Sequence, residues 1–243
     1  MRQGCPVRSR LCAVASLSRH PILHREAILG GEIDRMVREA RDPRAPLLPV
    51  EERMRILRAL LDEMPDTGQA WLFAYGSLMW NPAFDVEHTT RGLLRGWHRR
   101  FCFWSTLGRG SKEEPGLMLA LEPGGACGGL LLGVRRERAE EEFRVVFMRE
   151  MLTGTYRARL VTVGTESGPV RAITFVANPT HPSYAGRLPM EECGRYIARA
   201  QGRLGTCREY LDNTAARLSE LGIRDRTVET LMRSVDAALA ERS

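Results

Sequence analysis

Ten consecutive residues, Trp71-Leu72-Phe73-Ala74-Tyr75-Gly76-Ser77-Leu78-Met79-Trp80, constrain this chain more than any other stretch. The first half is apolar and short, which suits a buried strand of about six residues. Gly76-Ser77 then breaks the run abruptly. Such a break leaves successive backbone N–H groups at the end of a strand, and glycine permits dihedrals that turn them inward together, making a concave nest for a carboxylate. An ordinary turn is the competing reading. Trp71, Phe73, Tyr75 and Trp80 crowd the run in a chain with only 7% aromatic residues. The segment is therefore expected to wall a pocket or to fill a core.

Composition narrows the function classes. A chain of 243 residues with 43% hydrophobic and 27% charged residues fits one soluble domain with an extension, or two small domains. No apolar run is long enough to span a bilayer. The net charge of +6 is spread along the chain, and every basic residue except Lys112 is arginine. Without a basic stripe, an RNA-binding aromatic motif or zinc-finger spacing, no nucleic-acid partner is expected. Cys5, Cys12, Cys102, Cys127, Cys193 and Cys207 form no Cys-x-x-Cys pair or disulfide framework, which fits a reducing cytoplasm and no structural zinc. His20 and His24 have helical spacing, but no glutamate lies between them, so no metal site is expected there.

Along the chain, residues 1–25 contain no acidic residue before Glu26 and several Arg and Ser, a transit-peptide-like composition that also suits a frayed tail. Pro43, Pro46 and Pro49 read as a linker. Residues 1–49 are therefore expected to be an N-terminal tail and linker, and whether they are ordered is not legible in the sequence. Met54, Ile56, Leu57, Leu60 and Leu61 predict an amphipathic helix before Pro65, within an N-terminal segment 50–68. Residues 69–243 form the main domain. Strands are predicted at 71–76, 92–105, 116–122, 127–135, 155–164 and 169–177, with a helix at 137–152 and two or three helices from 189 onward. This pattern predicts an α+β fold with a mixed, curved, barrel-like sheet, an inserted helix and C-terminal helices.

The inserted helix carries the candidate acid/base. Phe143, Val146 and Phe147 define its apolar face, and Glu150 follows them at i+7, i+4 and i+3, on the same face. It also falls near the helix C-terminus, where the macrodipole disfavours negative charge. Both effects raise a carboxyl pKa. The competing reading is a solvated glutamate that rotates out to pair with Arg149 or Arg157.

Several motifs together resemble the ChaC-type gamma-glutamylcyclotransferases, which convert glutathione into 5-oxoproline and cysteinylglycine. Phe73-x-Tyr75-Gly76-Ser77-Leu78-Met79-Trp80-Asn81-Pro82 resembles the family's opening strand and substrate loop. Arg149-Glu150-Met151, then Thr153-Gly154 and Tyr156, is similar to the bacterial branch's catalytic segment. Gly96-Trp97-His98-Arg99 with Phe101-Cys102, Gly108-Arg109-Gly110, Pro115-Gly116 with Met118-Leu119-Ala120-Leu121, Pro179-x-His181-Pro182-x-Tyr184, and Leu204-Gly205-Thr206 with Tyr210-Leu211 agree in order. The eukaryotic branch's aspartate before Arg-Glu and the Gly-Gly after it are not present. The resemblance covers about residues 71–239 and leaves 1–68 outside it.

The resemblance implies a gamma-glutamylcyclotransferase-like fold and a small-molecule substrate, glutathione, with no cofactor. It also implies Glu150 as general acid/base. Backbone donors of Tyr75, Gly76, Ser77 and Leu78 would then grip the glutamyl carboxylate, and Tyr210 would steady the substrate amide or Glu150. Such a substrate carries its own nucleophile, so folding the chain and moving protons suffices. Tyr210 as a helix-packing residue, and Trp80, Trp97 and Trp104 as core, are the plainer readings. Arg99 or Arg100 is a candidate for the glycine carboxylate, against a surface role. Ser77 as a covalent nucleophile has no Gly-x-Ser-x-Gly elbow and no neighbouring histidine to support it. Other gamma-glutamyl amino acids or amines, and a non-catalytic binding module, are the alternatives. Oligomeric state is not legible.

Overall fold

A computed structural model describes residues 20–241 apart from Arg44, and at its centre five strands close into a barrel. These are β1 (Gln69–Ala74), β2 (His88–Ser105), β3 (Gly116–Arg135), β4 (Tyr156–Thr165) and β5 (Gly168–Ala177). The order is β1-β3-β2-β4-β5. A parallel contact, Leu72 with Ile173, joins β1 to β5, and the other pairs are antiparallel. The expected α+β class with a barrel-like sheet is what the chain forms. Ala70, Leu72, Phe73 and Ala74 are fully buried because β1 is paired on both edges, and strands covered in this way read as continuous apolar runs.

One expectation changes. Residues 116–122 and 127–135, read as two strands, are one strand, β3. The partner β2 runs beside it from Ser105 opposite Gly116 to His88 opposite Gly133. Pro123 pairs with Trp97 and Ala126 with Arg95, so Gly124 and Gly125 lie in a bulge opposite Gly96, where the register shifts. Gly124 and Gly125 have φ of 109° and 65°, Gly96 81°. Glycines that look like a hairpin turn in sequence here bend a continuous ribbon.

Helices surround the barrel: α1 (Arg25–Leu29), α2 (Glu32–Ala40), α3 (Val50–Glu63), α4 (Ala139–Glu150), α5 (Met190–Arg199), α6 (Cys207–Glu220) and α7 (Arg226–Ala240). The inserted helix α4 packs on the barrel through Phe147, whose ring centroid is 5.4 Å from that of Phe175 of β5, while Phe143 meets Phe84, in the segment between β1 and β2, at 5.6 Å. On the other side α5 and α7 approach closely: a Cβ on Gly194 would lie 2.3 Å from Ser234 Oγ.

Residues 20–49 depart from the tail-and-linker expectation, for they contain α1 and α2. Ile28, Ile33 and Met36 share one core with Leu57 of α3 and Phe73 of β1. The Arg53 guanidinium, on α3, donates twice to Asp34 of α2, at 3.0 Å each, with both side chains buried. Buried Glu142 of α4 pairs with Arg25. Anchors of this kind come from distant segments, so the composition of residues 20–49 could not show them. The transit-peptide-like reading concerns chiefly residues 1–19, which lie outside the described residues. None of the described helices is long and apolar enough to cross a membrane.

Candidate active site

The chain leaves β1 at Ala74, passes through Tyr75 and Gly76, and makes one tight 3-10 turn at Ser77–Met79. Met79 N–H donates to Gly76 O at 2.9 Å, and the Trp80 and Asn81 N–H groups donate to Ser77 O at 3.1 and 2.8 Å. A helical turn leaves its leading N–H groups without intrahelical acceptors. Tyr75, Gly76, Ser77 and Leu78 all line a cavity of about 270 Å³.

Glycine at position 76 answers to close approach. A Cβ there would sit 3.2 Å from the Tyr210 hydroxyl and 3.3 Å from Leu119 Cδ2. Tyr210 comes from α6, whose N-terminus is capped by Thr206 accepting from Glu209 N–H at 3.0 Å. Its ring packs against Trp80 and Phe101, at centroid distances of 5.8 and 6.0 Å. Tyr210 thus packs among aromatic rings and also lines the cavity. Burial and the nearby Glu150 carboxylate push its phenol well above the usual range.

Glu150 is the last residue of α4 and lines the same cavity. Phe143, Val146 and Phe147 are buried as the helical spacing predicts. Burial raises the Glu150 carboxyl above its ordinary range, and the neighbouring Arg149 guanidinium opposes part of that rise. The outward-rotated alternative does not hold. Arg149 does pair with Glu150, Nε to Oε1 at 3.0 Å, but the side chains are only 9% and 15% exposed.

Arg149 also donates to Ser77 Oγ at 2.6 Å and to Asn81 O at 2.7 Å. It therefore ties the turn after β1 to the end of α4. The sequence offers Arg149 as a partner for Glu150 and as part of the Arg149-Glu150-Met151 motif, but its contact with Ser77, 72 residues away, depends on the fold. Tyr156 was missed as a cavity residue too, although it stands in the segment that resembles the family's. Its hydroxyl donates to Leu119 O at 2.9 Å, and that of Tyr75 to Phe175 O at 2.7 Å. The Tyr210 hydroxyl has no hydrogen-bond partner among the described residues.

Neither proposed carboxylate reader reaches the cavity. Arg99 is buried, donating to Tyr75 O at 2.7 Å, to Gly128 O, and to Asp225 at 2.8 Å. Arg100 pairs with Glu122 at 2.6 Å. Ser77 is held by Arg149, and no histidine lines the cavity among the described residues. Trp80 and Trp104 line it, the latter packed on Tyr196 with ring centroids 4.7 Å apart.

Residues 70–238 match the family described as ChaC-like protein. The chain belongs to that family. It is 40% identical over 196 residues, 80% of this chain and 85% of the relative, to a glutathione-specific gamma-glutamylcyclotransferase of Escherichia coli K12. A human protein, glutathione-specific gamma-glutamylcyclotransferase 1, is 32% identical over 151 residues, covering 60% of this chain and 68% of its own. The fold of this ChaC-like protein is similar to the crystal structure of a yeast gamma-glutamyl cyclotransferase specific to glutathione, with a TM-score of 0.65 and 20% identity over 71% of this chain and 97% of that one.

Proposed function

We propose that this ChaC-like protein is a cytoplasmic gamma-glutamylcyclotransferase that cleaves glutathione into 5-oxoproline and cysteinylglycine, with Glu150 as general acid/base. One observation carries the residue assignment: Glu150, whose carboxyl pKa is raised, and the residues of the Ser77–Met79 turn line one cavity.

The N–H groups of Ser77 and Leu78 receive the glutamyl α-carboxylate, so that the glutamyl chain folds with its amine toward its own side-chain carbonyl. Glu150 takes a proton from the α-ammonium, and the freed amine attacks the gamma-carbonyl carbon. A carbon–nitrogen bond forms and closes the five-membered ring. The bond from the same carbon to the cysteinyl nitrogen then breaks as Glu150 returns the proton to that departing nitrogen, and the second proton, shed by the ring nitrogen as the lactam forms, converts the released amine into its ammonium. Proton count and charge balance without an external nucleophile. Holding a folded, rotor-frozen substrate supplies much of the acceleration. A carboxyl with a pKa closer to neutrality is a better proton shuttle than a solvated one. The Tyr210 hydroxyl donates to the carbonyl oxygen as charge develops on it.

The test is 5-oxoproline release from reduced glutathione by the purified protein and by Glu150→Gln. Release by the wild type alone supports both the reaction and the residue. Equal release by both proteins rules out Glu150 as the acid/base, and release only from other gamma-glutamyl amines changes the substrate.

A further inference from the structure

The cavity has a second wall that the residues of the turn and of α4 do not build. Ile33, Met36 and Val37 of α2 line it, facing the loop after β2. This helix lies outside the segment 70–238 that matches the family. Its C-terminal end is fastened to the loop: Thr106 Oγ1 donates to Asp42 at 3.0 Å, and Lys112 Nζ to Ala40 O at 3.2 Å.

Charge on this cavity is unevenly committed. Among the described residues, three cations line it: Arg109, Lys112 and Arg149. Arg149 is paired with Glu150, and Arg109 with Glu209 at 2.8 Å. Asp42, the carboxylate on this wall, accepts from Thr106. Lys112 is exposed at the rim and donates to a neutral carbonyl; its charge also acts on the adjacent Glu113, but among the described residues it is the lining cation with no carboxylate within salt-bridge distance. A lysine on a flexible stem is a point charge that can turn toward an incoming carboxylate.

We infer that α2 and the loop after β2 form the subsite for the aminoacyl half of the substrate, with Ile33, Met36 and Val37 against its middle residue and Lys112 pairing with its terminal carboxylate. This inference rests on the functional reading above. With the glutamyl end held at Gly76–Leu78, the opposite end of a gamma-glutamyl dipeptidyl substrate carries the carboxylate that Lys112 would meet. Selection for a tripeptide over a simple gamma-glutamyl amine follows from that pairing.

The experiment compares kcat/KM for glutathione and for its glycine C-terminal amide, in which a neutral group of nearly the same size replaces the terminal carboxylate. The wild type is expected to favour glutathione by about tenfold, as one charge-assisted contact allows. Lys112→Ala is expected to collapse that ratio toward one through KM, and Lys112→Arg to restore most of it. If Lys112→Ala slows both substrates alike, the lysine only fastens α2, and the inference is overturned. An unchanged ratio overturns it as well, while wild-type release of 5-oxoproline leaves the functional reading standing. No release from glutathione by the wild type overturns both.

Discussion

Arg149 donates to the Ser77 hydroxyl at 2.6 Å while its Nε lies 3.0 Å from Glu150 Oε1. One guanidinium thus ties the turn after β1 to the carboxylate of Glu150. Replacing it by alanine is expected to cost about 10²-fold in kcat/KM, because small misplacements of reacting groups are expensive. Its positive charge also opposes the rise in the Glu150 pKa. The acidic limb of the pH–rate profile of Arg149→Ala is therefore expected to move to higher pH. A profile that stays in place would show that the two charges are not coupled.

Glu150→Gln is expected to lower kcat by about 10³-fold and to raise the thermal midpoint near neutral pH. A carboxyl whose folded-state pKa is raised penalises the folded protein when ionised. That penalty is full above the raised value and absent below the ordinary 4.5. The difference in Tm between variant and wild type should accordingly shrink as the pH falls toward about 4. Thermal scans across pH check the sign.

The three tyrosines near Glu150 should separate by experiment. Tyr210→Phe removes a hydroxyl without a partner among the described residues, so activity is expected to fall by about tenfold with little change in stability. Tyr75→Phe and Tyr156→Phe instead leave the carbonyls of Phe175 and Leu119 short of a donor, at about 1 kcal/mol each. Urea midpoints alongside turnover distinguish the two patterns.

Arg99→Ala is expected to destabilise the fold by about 3–5 kcal/mol, since it strips a buried cation from its anion and two carbonyls from their donor. Arg99→Lys should recover little, because one ammonium cannot span acceptors that the planar guanidinium reaches together. Equilibrium unfolding measures the loss.

Local features were legible because their causes are local. An apolar run ending in Gly76-Ser77 is a strand and a turn whatever surrounds it, and the spacing from Phe143 to Glu150 turns the carboxylate toward the barrel by helix geometry alone. The motifs quoted for the family resemblance stand on the same segments. A side chain at position 76 would crowd the hydroxyl of Tyr210 arriving from α6, a constraint that the sequence could not supply.

The tertiary structure decided where the charges went. Arg99 looked like a surface residue, yet it is buried because Asp225, 126 residues away, meets it. Gly124 and Gly125 fall between the strands expected at 116–122 and 127–135, yet they form a bulge in one strand because β2 lies alongside. Residues 20–49 looked like linker and became a cavity wall because Arg53 and Glu142 anchor them. Backbone periodicity and glycine placement act over a few residues, so the chain alone carries them. The burial of a charge depends on a partner brought by the fold, and no local pattern encodes that partner.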